Sequence, residues 1–142
     1  MKKNAAVLVI LAIAAAAIFW LLTMPSRLPA EAVAGMENGD AARGERIFWA
    51  GGCASCHAAK GATGDALMQL GGGLDLATPF GTFHAPNISP DTATGIGSWS
   101  GADFANAMMK GVSPRGAHYY PAFPYTSYAR MTLPDVADLW AY

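Results

Sequence analysis

The chain has 142 residues, with nine basic and ten acidic groups and a net charge of −1. Lys2 and Lys3 precede a long apolar run, and setting them aside leaves −3 on the remainder, so the basic footprint of a nucleic-acid-binding protein is absent. Residues 25–142 suffice for one domain and not for two.

Residues 5–24 form 20 uncharged positions. As a helix such a run measures about 30 Å, the hydrocarbon thickness of a bilayer. A secretory signal has a shorter apolar core, about 7–15 residues, before a small-x-small cleavage site. Ala30-Glu31-Ala32 and Ala32-Val33-Ala34 offer such sites, but the length predicts an uncleaved transmembrane segment over 1–24. With Lys2 and Lys3 on the inner side, the positive-inside rule puts the rest of the chain across the membrane. Residues 25–39, with Pro25, Pro29 and scattered alanines, read as a tether, and the folded domain proper is expected over 40–142.

Asp40 is a favourable N-cap for a first domain helix that runs through Phe48 and Trp49 into the next motif. Gly44 inside it costs about 1 kcal/mol relative to alanine, which predicts another helix crossing closely there. The motif is Cys53-Ala54-Ser55-Cys56-His57. C-x-x-C-H is the attachment signature of c-type haem: two thiols one helical turn apart each bond a vinyl group, and the adjacent imidazole faces the iron. The competing readings fail on specifics. Structural zinc needs four ligands, yet the chain has two cysteines, and His84 and His118 lie at no finger-like spacing from them. A thioredoxin-like pair follows a buried strand, which the flanks Phe48-Trp49-Ala50-Gly51-Gly52 and Ala58-Ala59-Lys60-Gly61 do not provide. One covalent haem c through Cys53 and Cys56, with His57 as axial ligand, is therefore expected. In bacteria this attachment takes place outside the inner membrane, which places the domain on the periplasmic side.

Glycine and proline punctuate residues 61–99, leaving no convincing strand beyond residues 82–84. Ser100 as N-cap and Asp103 three residues on open a third helix, with Phe104, Ala107 and Met108 on one face and Gly111 as its stop. Thr132 and Asp135 approach a capping box for the last helix, where Val136, Leu139 and Trp140 recur at helical spacing. The two terminal helices should cross with Gly44 against Leu139 and Phe48 against Tyr142. The predicted architecture is all-α, three main helices and long loops around one haem, behind an N-terminal transmembrane helix.

With Gly44, Phe48, Cys53/Cys56/His57, Pro86-Asn87-Ile88, Trp99 before a helix, and Leu139/Tyr142 in this order, residues 40–142 resemble a class I cytochrome c. Within that class, Pro86-Asn87-Ile88-Ser89-Pro90-Asp91, Thr94-Gly95-Ile96-Gly97 and Tyr120-Pro121-Ala122-Phe123-Pro124-Tyr125 are similar to the cytochrome subunits of membrane-bound alcohol, gluconate and sorbitol dehydrogenases. The resemblance implies that the Pro86 carbonyl accepts the Nδ1 hydrogen of His57 and that Trp99 approaches a haem propionate. It implies redox partners, a dehydrogenase donor and a cytochrome or oxidase acceptor, and no small-molecule substrate. It further implies a second haem domain beyond Tyr142, in line with a last helix that has no stop signal.

One position departs from the pattern. Those subunits usually carry methionine where this chain has Phe123, and a phenyl ring does not bind iron. Met131, at the end of the same loop, is the expected distal ligand, with Met108 the alternative. Each has a plain structural role instead, Met131 as a hydrophobic staple on Val136 and Met108 as a packing residue. His118, His84 and an open sixth site complete the options. Tyr119, Tyr120, Phe123, Tyr125 and Tyr128 are expected to cover the haem edge. The chain carries no carboxylate pair, no Ser-His-Asp order and no phosphate loop, so it reads as a one-electron carrier rather than an enzyme; a haem sensor with a displaceable sixth ligand is the alternative.

Overall fold

The computed structural model describes residues 2–142; Met1 and the side chains of Lys2 and Lys3, which carry the orientation argument, lie outside the described set. Helix α1 spans Lys2–Thr23. From Asn4 to Thr23 it is long and apolar enough to cross a membrane, and its apolar side chains are exposed. An apolar helix whose described side chains all stay exposed suits a signal sequence or a membrane anchor.

The domain is built on α2 (Ala41–Ala50), the short α3 (Cys53–His57), α4 (Gly101–Lys110), the single-turn α5 (Tyr125–Tyr128) and α6 (Leu133–Ala141). The predicted caps are all made. Asp40 accepts from the Arg43 N–H at 3.0 Å, Ser100 and Asp103 complete a capping box, and Thr132 accepts from the Asp135 N–H at 3.3 Å. Gly111 closes α4 in the left-handed region, at φ 61°. The first helix does not run unbroken into the cysteine motif. Gly51 ends α2, and Gly52, at φ 67°, turns the chain before α3 starts.

The domain is mostly helical, and one hairpin corrects the all-α expectation. β1 (Asp75–Thr78) pairs antiparallel with β2 (Gly81–His84), from Asp75 opposite His84 to Thr78 opposite Gly81. Residues 82–84 carry a strand signal, whereas its partner Asp75-Leu76-Ala77-Thr78 has too little β-branched or aromatic character to be read as one.

α2 and α6 cross as predicted, one position from where they were expected. Gly44 abuts the carbonyl of Asp138 rather than Leu139, and a Cβ on it would lie 2.6 Å from that carbonyl carbon. Phe48 meets Tyr142 with ring centroids 5.4 Å apart, as expected. The crossing is pinned by charge: Asp138, buried at 3 %, receives Arg43 Nε at 2.6 Å, Arg43 Nη2 at 2.9 Å and the Asp40 N–H at 2.6 Å. These donors hold the Asp138 carboxyl below its ordinary range, the Arg43 hydrogen bonds contributing most.

Residues 25–39 differ from the expected tether. Met36 is 3 % exposed and joins Ala105, Met108, Val136 and Ala137 in the main core, on which Leu28 and Val33 also pack. The Leu28 N–H donates to the buried Asn106 side chain at 2.7 Å, and the Glu37 carboxylate accepts from the Gly101 N–H at 3.2 Å. The segment is a strap laid across α4 and α6. Its sequence hides this because only scattered apolar residues, without periodicity, mark the buried side.

Candidate haem site

α3 presents the motif on a fixed platform. Ala54 and Ala58 are buried with Phe48, and Cys53, Leu67, Leu70 and Leu139 pack around them. The Ser55 hydroxyl and N–H both return to the Gly52 carbonyl, at 2.6 and 3.0 Å, which secures the first turn. The two thiols are unpaired and partly buried. Burial pushes the Cys53 thiol up, and proximity to Cys56 adds to the shift.

His57 Nδ1 lies 2.8 Å from the Pro86 carbonyl. A carbonyl only accepts, so Nδ1 carries the ring proton and Nε2 keeps its lone pair for a metal. The carbonyl is set by a short backbone ladder: the Gly72 N–H donates to the His57 carbonyl at 2.7 Å, the Gly73 N–H to the Ala85 carbonyl at 3.0 Å, and the Ile88 N–H to the Leu70 carbonyl at 3.0 Å. Gly72 is buried at φ 76°, and a Cβ there would lie 2.7 Å from the Pro86 oxygen. Only glycine lets the two strands of chain approach this closely. In the sequence Gly71-Gly72-Gly73 reads as loop punctuation, which hides this role; its position shortly before a hairpin strand is the one signal that points to it.

Beyond Pro86 the loop is internally tied. Asp91 Oδ1 accepts from the Thr94 N–H at 2.6 Å, the Thr94 hydroxyl at 2.8 Å and the Ala93 N–H at 3.1 Å, and these bonds, the Thr94 hydroxyl first, lower its pKa. Asn87 bridges to the Thr94 hydroxyl at 2.9 Å. Trp99 is half-buried, with its N–H on the Ile96 carbonyl at 2.9 Å, immediately before the α4 cap.

A cavity of about 380 Å³ brings Cys53 together with both sulfur candidates, Met108 and Met131, and with Ile47, Tyr128 and Leu139. Met108 reaches it from α4 and is 7 % exposed; Met131 precedes the α6 cap, its N–H on the Tyr128 carbonyl at 2.9 Å. Met131 and Leu133 also pack on the core that contains Val136. The remaining histidines are engaged elsewhere: His84 pairs with Asp75 across the hairpin at 2.5 Å, and His118 Nε2 donates to the Thr23 carbonyl at 2.9 Å. Phe123 sits within an aromatic cluster, 5.7 Å from Tyr119, 6.3 Å from Tyr125 and 6.1 Å from Tyr128 by ring centroids. Tyr120 departs from that group and stacks on Phe83 at 4.6 Å.

The available donors are two thiols on one turn, an imidazole whose Nε2 keeps its lone pair, and thioethers lining an adjacent, mostly apolar cavity that Asp135 also borders. This set suits an iron porphyrin. A cytochrome c family model matches residues 41–142, and the chain belongs to the cytochrome c family. It is 56 % identical over 135 residues to a diheme cytochrome c-type protein of Cereibacter sphaeroides, a match covering 95 % of this chain and 45 % of that one. Against the gluconate 2-dehydrogenase cytochrome c subunit of Pantoea cypripedii the identity is 45 % over 100 residues, 70 % of this chain and 22 % of the other. The quinone-dependent alcohol dehydrogenase cytochrome c subunit of Gluconacetobacter polyoxogenes is 37 % identical over 120 residues, 82 % of this chain and 25 % of the other. The chain thus spans less than half the length of each of these relatives. It is a c-type cytochrome electron carrier related to dehydrogenase cytochrome subunits.

Proposed function

We propose that this chain is a membrane-anchored module on the periplasmic side of a bacterial inner membrane that passes single electrons from a dehydrogenase to a respiratory-chain acceptor. The observation that carries the reading is the His57–Pro86 contact at 2.8 Å on the same short helix as the two cysteines. Cys53 and Cys56 would hold one haem covalently, and His57, whose ring orientation and basicity are set by the Pro86 carbonyl, would offer its Nε2 to the iron. Haem, when bound, supplies the one-electron ferric/ferrous couple.

The chain's residues do the rest. Met131 would supply the distal ligand, with Met108 its alternative; both line the cavity beside Cys53. Thioether ligation favours the ferrous state and raises the potential. Phe48, Leu139 and Tyr128, which pack or line the cavity around Cys53, would exclude water from that side, and Trp99 would approach a propionate. The dehydrogenase donor and the cytochrome or oxidase acceptor are redox proteins, and substrate chemistry belongs to the donor.

The test is the optical spectrum of the haem-loaded ferric protein, where a weak far-red charge-transfer band marks methionine–iron ligation. Met131→Ala is expected to abolish it and Met108→Ala to retain it; survival of the band in Met131→Ala rejects Met131. Carbon monoxide binding by the wild-type ferrous protein would favour a sensor with a displaceable sixth ligand, and haem released by acid-acetone would reject covalent attachment.

A further inference from the structure

α1 passes into the domain without a free linker. The carbonyl of Thr23, its last residue, accepts a hydrogen bond from His118 Nε2 at 2.9 Å. Four residues on, the Arg27 guanidinium reaches the carbonyls of Ser113 at 3.3 Å and Pro114 at 2.5 Å, and pairs with Asp103 at 3.8 Å. Leu28 is held by Asn106 and Met36 lies in the core. Loop 112–120 is therefore fixed against the end of α1. Trp20, 69 % exposed on α1, is the residue type that marks a membrane–water boundary, and it lies one turn before Thr23.

The hairpin is joined to this same loop. Tyr120, two residues after His118, stacks on Phe83 of β2 with centroids 4.6 Å apart and planes 17° apart. Phe80, at the tip between the strands, is 84 % exposed, with its N–H on the Thr78 hydroxyl at 3.2 Å. Phe80 and Phe83 are three residue steps apart, at most about 10 Å, against a headgroup layer roughly 5–8 Å deep. Exposed Arg115 adds a cation to the loop that meets α1.

We infer that loop 112–120 and the hairpin tip at Phe80 form a second membrane contact, seated in the phospholipid headgroup layer where α1 emerges, so that the haem domain is held in one orientation on the bilayer. The inference rests on α1 being a membrane anchor. Phe80 supplies a largely exposed apolar side chain, Tyr120 an amphipathic ring at headgroup depth, and Arg115 a charge for anionic lipid. A swinging domain is replaced by one whose haem edge keeps a constant height above the membrane.

The experiment uses the full haem-loaded chain in vesicles of phosphatidylethanolamine and phosphatidylglycerol. Nitroxide labels are placed one at a time through Phe80→Cys, Ile13→Cys in α1, and Ala59→Cys beside the haem motif. Collisions with oxygen, which concentrates in lipid, and with a water-soluble nickel chelate are then read by electron paramagnetic resonance. Position 80 is expected to lose nickel collisions and gain oxygen collisions relative to position 59. Should position 13 be lipid-embedded while position 80 meets nickel as freely as position 59, the tip faces water or a protein partner and the inference fails with the anchor reading intact. A position 13 label in water overturns both.

Discussion

Replacing Gly44 by alanine tests the packing that joins the first and last domain helices. A Cβ at this position would lie 2.6 Å from the Asp138 carbonyl carbon and 2.9 Å from Tyr142 Cβ, with the Asp138 oxygen closer still. Ordinary carbon contacts lie near 3.5–4.0 Å, so α2 and α6 must separate by about 1 Å. Neither helix yields easily. The obstacle is backbone, and Arg43 and the Asp40 N–H clamp the side chain of that same Asp138. Overpacking of this kind costs about 1–3 kcal/mol, and a backbone obstacle places it at the upper end. Alanine returns about 1 kcal/mol in helix propensity. The net is a loss of about 2 kcal/mol, roughly 8–16 °C in midpoint for a domain of this size. Thermal unfolding of the haem-loaded protein in detergent, followed by circular dichroism in the haem bands, measures it. Gly35→Ala is the control: its φ is −95° and a Cβ there meets nothing within 4 Å, so the variant should match or exceed wild type by up to about 1 kcal/mol. A Gly44→Ala protein as stable as Gly35→Ala would refute the close crossing.

Three further outcomes follow from named contacts. Gly72→Ala forces a side chain onto the Ala85 and Pro86 carbonyls at φ 76°; as the Pro86 oxygen is displaced from His57 the imidazole becomes a weaker donor, and the haem potential, measured by redox titration, should rise. Asn106→Ala removes the acceptor for the Leu28 N–H, costs about 1–3 kcal/mol, and should make residues 25–38 sensitive to limited proteolysis before the haem domain is cut. The Asp138 carboxyl is depressed in the folded state, so its contribution is fully present above the unfolded value of about 3.9 and is lost as pH falls through the lower folded value; wild type should lose stability steeply in that acid range, and Asp138→Asn, less stable at neutral pH, should show a flatter acid limb in pH-dependent melts.

The features legible in the sequence are those decided within a few residues. Asp40, Ser100 and Thr132 cap helices because each side chain meets an N–H three positions on. The cysteine motif is likewise local. Gly44 could be read as a close approach because its helix gains nothing from glycine, but the facing residue, Asp138 rather than Leu139, depends on how α6 is rotated, which local pattern does not specify. Gly72 escaped notice because its partner carbonyls lie 13 and 14 residues away. The strap over 25–39 carries no local signal because its anchoring groups, Arg27, Leu28 and Met36, find their partners on α4, the following loop and α6, far along the chain.

Phe123 is where local and long-range information meet. Its position in the Tyr-Pro-Ala-x-Pro-Tyr segment removes a sulfur from the loop, and the structure fills the place with ring contacts to Tyr119, Tyr125 and Tyr128. Tyr128 in turn lines the cavity with Cys53 and receives the Met131 N–H on its carbonyl. An aromatic residue at 123 therefore braces the turn that delivers Met131 to the cavity. On the proposal that Met131 would supply the distal sulfur, its backbone is held by the Tyr128 turn beside Phe123, while Met108 lines the same cavity from the buried core of α4.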